Sequence, residues 1–101
     1  MITKETLGES DLDKIAFIND GKSILLCNYR LELTKREYEL VLFLANEKGW
    51  TTREKIICNT GVRRSSIPVH VANANKKAYS VSGRKLLEGN RSGEYRVAEY
   101  I

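Results

Sequence analysis

Ser65–Tyr79, SSIPVHVANANKKAY, is the stretch on which the reading of this chain turns. Wound at 3.6 residues per turn, Ile67, Val71, Ala74 and Ala78 fall at i, i+4, i+7 and i+11 and make one apolar stripe. Val69, Asn73, Lys76 and Ser80 fall roughly opposite. That outward side is small, amide-bearing and cationic, and the segment holds no Asp or Glu. Such a helix can approach a polyanion without charge repulsion, and its chemistry suits the major groove of duplex DNA. Ser65 or Ser66 is the expected cap. Pro68 is acceptable because it lies in the first turn, where its missing N–H is not needed.

Two further helices precede it. Thr34-Lys35-Arg36-Glu37 has capping-box spacing, a hydroxyl at the N-cap and a carboxylate three residues on. The helix it opens runs through EYELVLFLANEK and is expected to end at Gly49, a left-handed C-cap. Leu40 to Leu44 are apolar on most sides, which makes this the central core helix. Thr51-Thr52-Arg53-Glu54 opens a short helix through Ile56, Ile57 and Cys58; either threonine could cap it, and Thr51 to Glu54 again has the box spacing. Asn59-Thr60-Gly61 breaks it.

The flanks read as β-structure. Ile15 and Phe17 alternate with smaller or polar neighbours, and Asn19-Asp20-Gly21 is a hairpin turn signal. Ser23 to Cys27 is a short apolar strand, and Tyr29, Leu31 and Leu33 alternate at period two. After Ser82-Gly83, Leu86-Leu87 and Tyr95-Arg96-Val97 flank Gly89–Gly93, a turn with Arg91 at its tip. The expected architecture is one α+β winged helix-turn-helix domain. It has a tail or first strand over 1–12, an N-terminal antiparallel sheet over 13–33, three helices over 34–82 and a hairpin wing over 83–101. No internal repeat or low-complexity segment is visible.

Composition narrows the function. The chain has 101 residues, 42% hydrophobic and 30% charged, as in ordinary globular proteins. No apolar run approaches the roughly 20 residues that span a bilayer. The N-terminus lacks an apolar signal core, so a cytoplasmic protein is expected. Cys27 and Cys58, in the contexts ILLC and KIIC, read as reduced core thiols. With one histidine and no CxxC, neither a zinc site nor a catalytic triad can be assembled, so no cofactor and no enzyme are expected. Glu37, Glu39 and Glu47 read as solvated face and cap, Tyr95 as core between wing and third helix, and Trp50 as packing under the sheet. Net charge is +4: residues 1–60 hold nine Lys/Arg and ten Asp/Glu, residues 61–101 eight and three. The basic half is the one containing the two-faced helix, which favours a polyanionic partner.

Several short motifs, in order, resemble one family. Leu33-Thr34-Lys35-Arg36-Glu37-Tyr38-Glu39-Leu40 is similar to the "LTxxEfeLL" opening of the first helix in OmpR/PhoB-type effector domains, the winged-helix output domains of bacterial response regulators. Thr52-Arg53-Glu54 resembles that family's "SRE". Val69-His70-Val71 with Lys76-Lys77 resembles its recognition helix, "VDVHIxxLRKKL". Tyr95-Arg96-Val97 resembles the terminal "GYRL", and Arg91 falls at the wing arginine. The resemblance covers about residues 13–98. It implies a DNA-binding transcription regulator with the recognition helix in the major groove and the wing arginine in the minor groove.

Carried over by position, it nominates Ser66, Val69, His70, Asn73 and Arg91. Ser66 would meet phosphate with free backbone N–H groups, Val69 a thymine methyl, and Asn73 the N6/N7 edge of adenine. Arg63, Arg64, Lys76 and Lys77 suit phosphate contacts, while Asn75 turns toward the body of the domain. The implied partner is double-stranded DNA, bound as a dimer or tandem pair on paired half-sites, with RNA polymerase or another transcription factor as further partners. The chain departs from the pattern at Asn73 and Asn75, where the family usually has arginines, at Ala74 (leucine) and at Pro68 (aspartate). Ser92-Gly93-Glu94 stands where "GxG" belongs, and Cys58–Val62 does not match "AVWG", the loop that often meets polymerase. With no receiver segment ahead of the module in this sequence, either a piece excised from a longer regulator or a stand-alone winged helix is expected, and Met1 with its tail favours the second. The rival reading is a winged helix that docks on another transcription factor as co-regulator or anti-activator.

Overall fold

The computed structural model describes residues 15–18, 20–26, 29–47 and 49–98. The expected tail, Asn19 of the first turn and Cys27 lie outside them. Strands β1 (Ile15–Phe17), β2 (Ser23–Leu26) and β3 (Tyr29–Glu32) form an antiparallel sheet in that order, with Phe17 opposite Ile24 and Ile24 opposite Leu31. Period two sends Ile24, Leu26 and Leu31 inward and Arg30 outward, while Tyr29, expected on the Leu31 face, is exposed at the start of β3. The Asp20 carboxylate closes the β1–β2 turn, accepting from the Ser23 N–H at 2.8 Å, the Lys22 N–H at 3.0 Å and the Ser23 hydroxyl at 2.7 Å. Those donors, the hydroxyl foremost, hold its pKa down at about 2.

Helix α1 (Lys35–Ala45) starts as the sequence predicts: Thr34 Oγ1 accepts from the Glu37 N–H at 3.2 Å, and Glu37 Oε1 accepts from the Thr34 N–H at 2.9 Å. Its end differs. The helix stops at Ala45, with Asn46 rather than Gly49 as C-cap. The Asn46 amide turns back onto the Leu42 carbonyl at 3.0 Å and the Glu47 N–H bonds Leu44 O, so the last turn tightens and closes early. Glu47 therefore leaves the helix and pairs with Lys55 at 2.6 Å.

Helix α2 (Arg53–Thr60) is capped by Thr52, whose side chain accepts from the Lys55 N–H, and ends on Gly61 in the left-handed conformation. Thr51 does not cap it. That residue is buried and bridges to Tyr95 through two backbone hydrogen bonds of 2.8 and 2.9 Å. Cys58 is exposed, not a core thiol, because it lies two positions, about 200° of helical turn, from the inward Ile56.

Helix α3 (Ile67–Ser82) follows a single 3-10 turn at Arg64–Ser66 and ends on left-handed Gly83. Neither serine caps it through its side chain. Ser66 already has helical backbone angles, whereas an N-cap needs extended ones. The hairpin consists of β4 (Leu87–Gly89) and β5 (Tyr95–Val97). Leu86 precedes it, so the strand starts one residue later than expected.

One core joins these elements. Ile24 and Leu26 meet Leu40, Val41 and Leu44 of α1, Ile56 of α2, the Ile67–Val71–Ala74–Ala78 stripe of α3 and Leu86 and Leu87 at the wing root. α1 touches α2, α3 and β5, and β3 packs on α3. Trp50 is not under the sheet. It is 39% exposed, with the Arg96 guanidinium 4.1 Å over its ring, since the bridge at Thr51 directs the loop along the wing. Among the described residues no helix is long and apolar enough to cross a membrane.

Candidate nucleic-acid interface

The inward stripe of α3 is wholly buried, so the opposite stripe must face out. Val69 is 56% exposed, and Asn73, Lys76 and Ser80 are exposed with it. Among the described residues neither the Asn73 amide nor the Lys76 ammonium has a partner; Ser80 donates to the Lys77 carbonyl at 2.7 Å. Tyr79, 59% exposed, extends this surface toward the helix C-terminus. The sequence did not nominate it, although its place ten residues after Val69, under 100° away in helical angle, puts it within reach of the same side.

The residues that alternate with these turn away. Asn75 Oδ1 accepts from the Leu86 and Leu87 N–H groups at 2.9 and 2.8 Å, and its Nδ2 donates to the Leu87 carbonyl at 3.0 Å. Its inward angle was legible in sequence; its partner was not. Lys77, grouped with the phosphate contacts, points its ammonium at Glu37 Oε1, 2.6 Å away. Glu37 is 2% exposed, so this capping carboxylate is no solvated surface group. It satisfies the α1 N-terminus and at the same time holds α3. Burying it without Lys77 would strand a charge in a low-dielectric site.

At the N-terminal end of α3 the picture is mixed. Arg63 is exposed and unpartnered among the described residues. Arg64 is paired with Glu54 at 2.8 Å, both side chains being exposed. The Glu54 carboxyl is held below its ordinary range, first by its own N–H at the start of α2 and then by Arg64. A surface pair of this kind is weak and exchangeable, so Arg64 can leave it for phosphate at little cost. Ser66 is half-buried, and the N–H groups of Ser66 and Ile67 already bond the Arg63 carbonyl at 2.9 and 3.2 Å. The free N–H groups expected beside Ser66 are thus engaged by the 3-10 turn, leaving its hydroxyl. His70 is half-buried on the flank. No acidic residue occupies the first turn of α3.

The wing presents Arg91 at its tip, exposed and with no partner among the described residues. Asn90 organises the turn beneath it: its Oδ1 accepts from the Ser92 and Glu94 N–H groups at 3.0 and 2.9 Å, and its Nδ2 donates to Glu94 Oε1 at 2.9 Å. Gly93 sits at φ +79, and a Cβ there would lie 2.8 Å from the guanidinium carbon of Arg53. That close approach, absent from any motif-based expectation, seats the wing turn on the start of α2.

No protein-family profile matches the sequence, and no curated protein matches it. The fold does match solved structures. The DNA-binding domain of the response regulator AdeR, in complex with an intercistronic region, superposes with a TM-score of 0.70 at 22% identity, covering 83% of this chain and 93% of that one. A RitR mutant gives 0.66 at 20% identity over 76% of this chain. A streptococcal redox sensor evolved from two-component response regulators gives 0.71 at 18% over 85%. The chain spans 37% and 40% of the length of those last two. The molecule thus has the winged-helix fold seen in response-regulator DNA-binding domains, with the N-terminal sheet in place ahead of the helices.

Proposed function

We propose that this protein is a DNA-binding transcription regulator that inserts α3 into the major groove and Arg91 into the adjacent minor groove. One observation carries the reading: Val69, Asn73 and Lys76 form an exposed stripe without carboxylates, on the same framework that holds an exposed arginine at the wing tip. Val69 supplies an apolar contact for a thymine methyl, and Asn73 a donor and acceptor for adenine, a pairing worth about 1–3 kcal/mol of discrimination. Arg63, Arg64 and Lys76 supply phosphate contacts, with the Ser66 hydroxyl and His70 beside them. These give affinity and little sequence information. Lys77 has a reduced part, because its charge is already engaged by Glu37. The AdeR domain, solved in complex with an intercistronic region, supports DNA as the partner. A single domain has a small footprint, so paired half-sites occupied by two copies fit this module.

The test is fluorescence anisotropy on promoter-derived duplexes across a salt series. Binding is expected to weaken roughly tenfold or more per few-fold rise in salt if several phosphates are neutralised. Absence of binding at low salt overturns the reading. Asn73→Ala should reduce discrimination between specific and random duplex, whereas Lys76→Ala should weaken both alike.

A second reading, docking on another transcription factor or on polymerase, is favoured by the exposed Trp50, whose ring is clasped on one face by Arg96. Under it, Trp50→Ala would abolish partner capture while leaving duplex binding intact.

A further inference from the structure

We infer that Asn75 is a positioning residue that sets the register of the wing against α3, and so determines where Arg91 falls relative to Asn73 on a duplex; the inference rests on the DNA-binding reading above. The observation is the set of three hydrogen bonds from one side chain to the root of β4. Oδ1 accepts from both the Leu86 and the Leu87 N–H, and Nδ2 donates to the Leu87 carbonyl. The side chains of Leu86 and Leu87 are fully enclosed, so these backbone groups sit at the edge of the core, where replacement by water is restricted. Directly beyond them the hairpin begins: Leu86 O accepts from the Ala98 N–H at 3.0 Å, and Leu87 pairs with Val97. Asn75 thus grips the hairpin where its two strands leave the core.

The chemistry is particular to an amide. Only a side chain with an acceptor of two lone pairs beside a donor can serve two N–H groups and one carbonyl together, and an arginine has donors alone. An arginine, which the resembling family usually carries at this position, could not make this set of bonds. The geometry amplifies the grip. Arg91 lies four residues beyond Leu87, a lever of about 13 Å in extended chain. A tilt of about 5° at the root moves the tip by about 1 Å, enough to spoil a groove contact that tolerates a few tenths of an ångström. Thr51 on Tyr95 and Arg53 against Gly93 hold the wing from the α2 side, α1 touches β5, and the Leu86 and Leu87 side chains pack in the core; to these Asn75 adds directional hydrogen bonds from α3 to the wing root.

A double-mutant cycle tests this coupling. Anisotropy on one duplex at low salt would compare wild type, Asn75→Ala, Arg91→Ala and the double variant. Arg91→Ala is expected to weaken wild-type binding about tenfold but the Asn75→Ala protein less than about threefold, whereas Asn73→Ala should cost the same factor in both backgrounds. Equal losses for Arg91→Ala in both backgrounds would show Asn75 to be merely structural and overturn the inference. Hydrogen exchange on the free protein is independent of DNA: Asn75→Ala should accelerate the Leu86 and Leu87 amides about tenfold or more while the α1 amides keep their rates. Unchanged exchange there overturns the inference even if DNA binding stands. Failure of the wild type to bind duplex overturns the proposed function and, with it, the DNA consequence drawn here. Should Asn75→Ala not fold, Asn75→Leu, which keeps the side chain's approximate shape and loses both acceptor and donor, takes its place in both measurements, and the same outcomes support or overturn the inference.

Discussion

Asn73 and Asn75 are the same residue two positions apart on one helix, and they belong to different regions of the molecule. Asn73 stands on the outward stripe with its amide unengaged among the described residues; Asn75 is built into the wing root by three hydrogen bonds. Lys76 and Lys77 repeat the contrast. The first is an exposed cation, and the second is the counter-charge of the buried Glu37. Residue type therefore says little about role on this helix. A rotation of 100–200° separates a group available to a ligand from one that holds the fold together. The flank of α3 is a structural junction to α1 and the wing, and the stripe opposite the core is the surface to which the proposed function assigns recognition.

Substitutions should split along that line. The largest effect is expected at Glu37: Glu37→Ala removes half of the capping box and leaves Lys77 without its partner, at a cost of about 2–4 kcal/mol in urea unfolding. Lys77 is partly exposed, so water recovers some of its solvation and the loss stays below that of a fully buried pair. A variant with an unchanged midpoint would show that the junction carries no stability. Asn75→Ala comes next, at about 1–3 kcal/mol, because two backbone N–H groups lose their acceptor. Asn73→Ala measured in the same series should stay within about 0.5 kcal/mol of wild type; a comparable loss at both sites would erase the contrast.

The two lysines sharpen it further. Lys76→Ala should reduce the salt slope of duplex binding by about one and leave stability alone, whereas Lys77→Ala should lower stability and reduce the slope by clearly less than one. A slope that falls equally for both would return Lys77 to the phosphate-contacting set. The smallest effect lies far from α3. Asp20 has its pKa lowered to about 2 by the Ser23 and Lys22 donors, against an ordinary value near 4. A depressed carboxyl stabilises the fold above its unfolded pKa, so this contribution is full above about pH 4 and is lost as pH falls toward 2. Asp20→Asn should flatten the stability profile across that window without altering duplex binding at neutral pH; an unaltered acid limb would show that the Asp20 turn contributes nothing to it.

Much of the fold was legible because its signals are local. The α3 stripe, the Thr34–Glu37 box, the Asp20-Gly21 turn and the hairpin around Arg91 each declare themselves within a dozen residues, at the period of the element they form. Expectation and structure part where a distant segment decides. Thr51 has the spacing of a cap but is taken by a bridge to Tyr95, 44 residues on. Local competition accounts for the rest. Ser66 has the type of a cap, but the 3-10 turn before it makes its backbone helical. Cys58 reads as apolar, yet α2 buries one face only, and that face belongs to Ile56. Asn46 ends α1 ahead of Gly49 because an amide beside a helix end competes for its carbonyls.

By itself, the sequence determined that a carboxylate-free helix with one apolar and one polar face would follow two capped helices and precede a basic hairpin. Helical and strand periods are properties of consecutive residues, so no partner is needed to read them. Which lysine remains free, and which groups the inward Asn75 holds, was decided by tertiary structure alone. Lys77 meets Glu37 across 40 residues and Asn75 meets Leu86 and Leu87 across 11 and 12, and such pairings exist only after the core has brought the elements together.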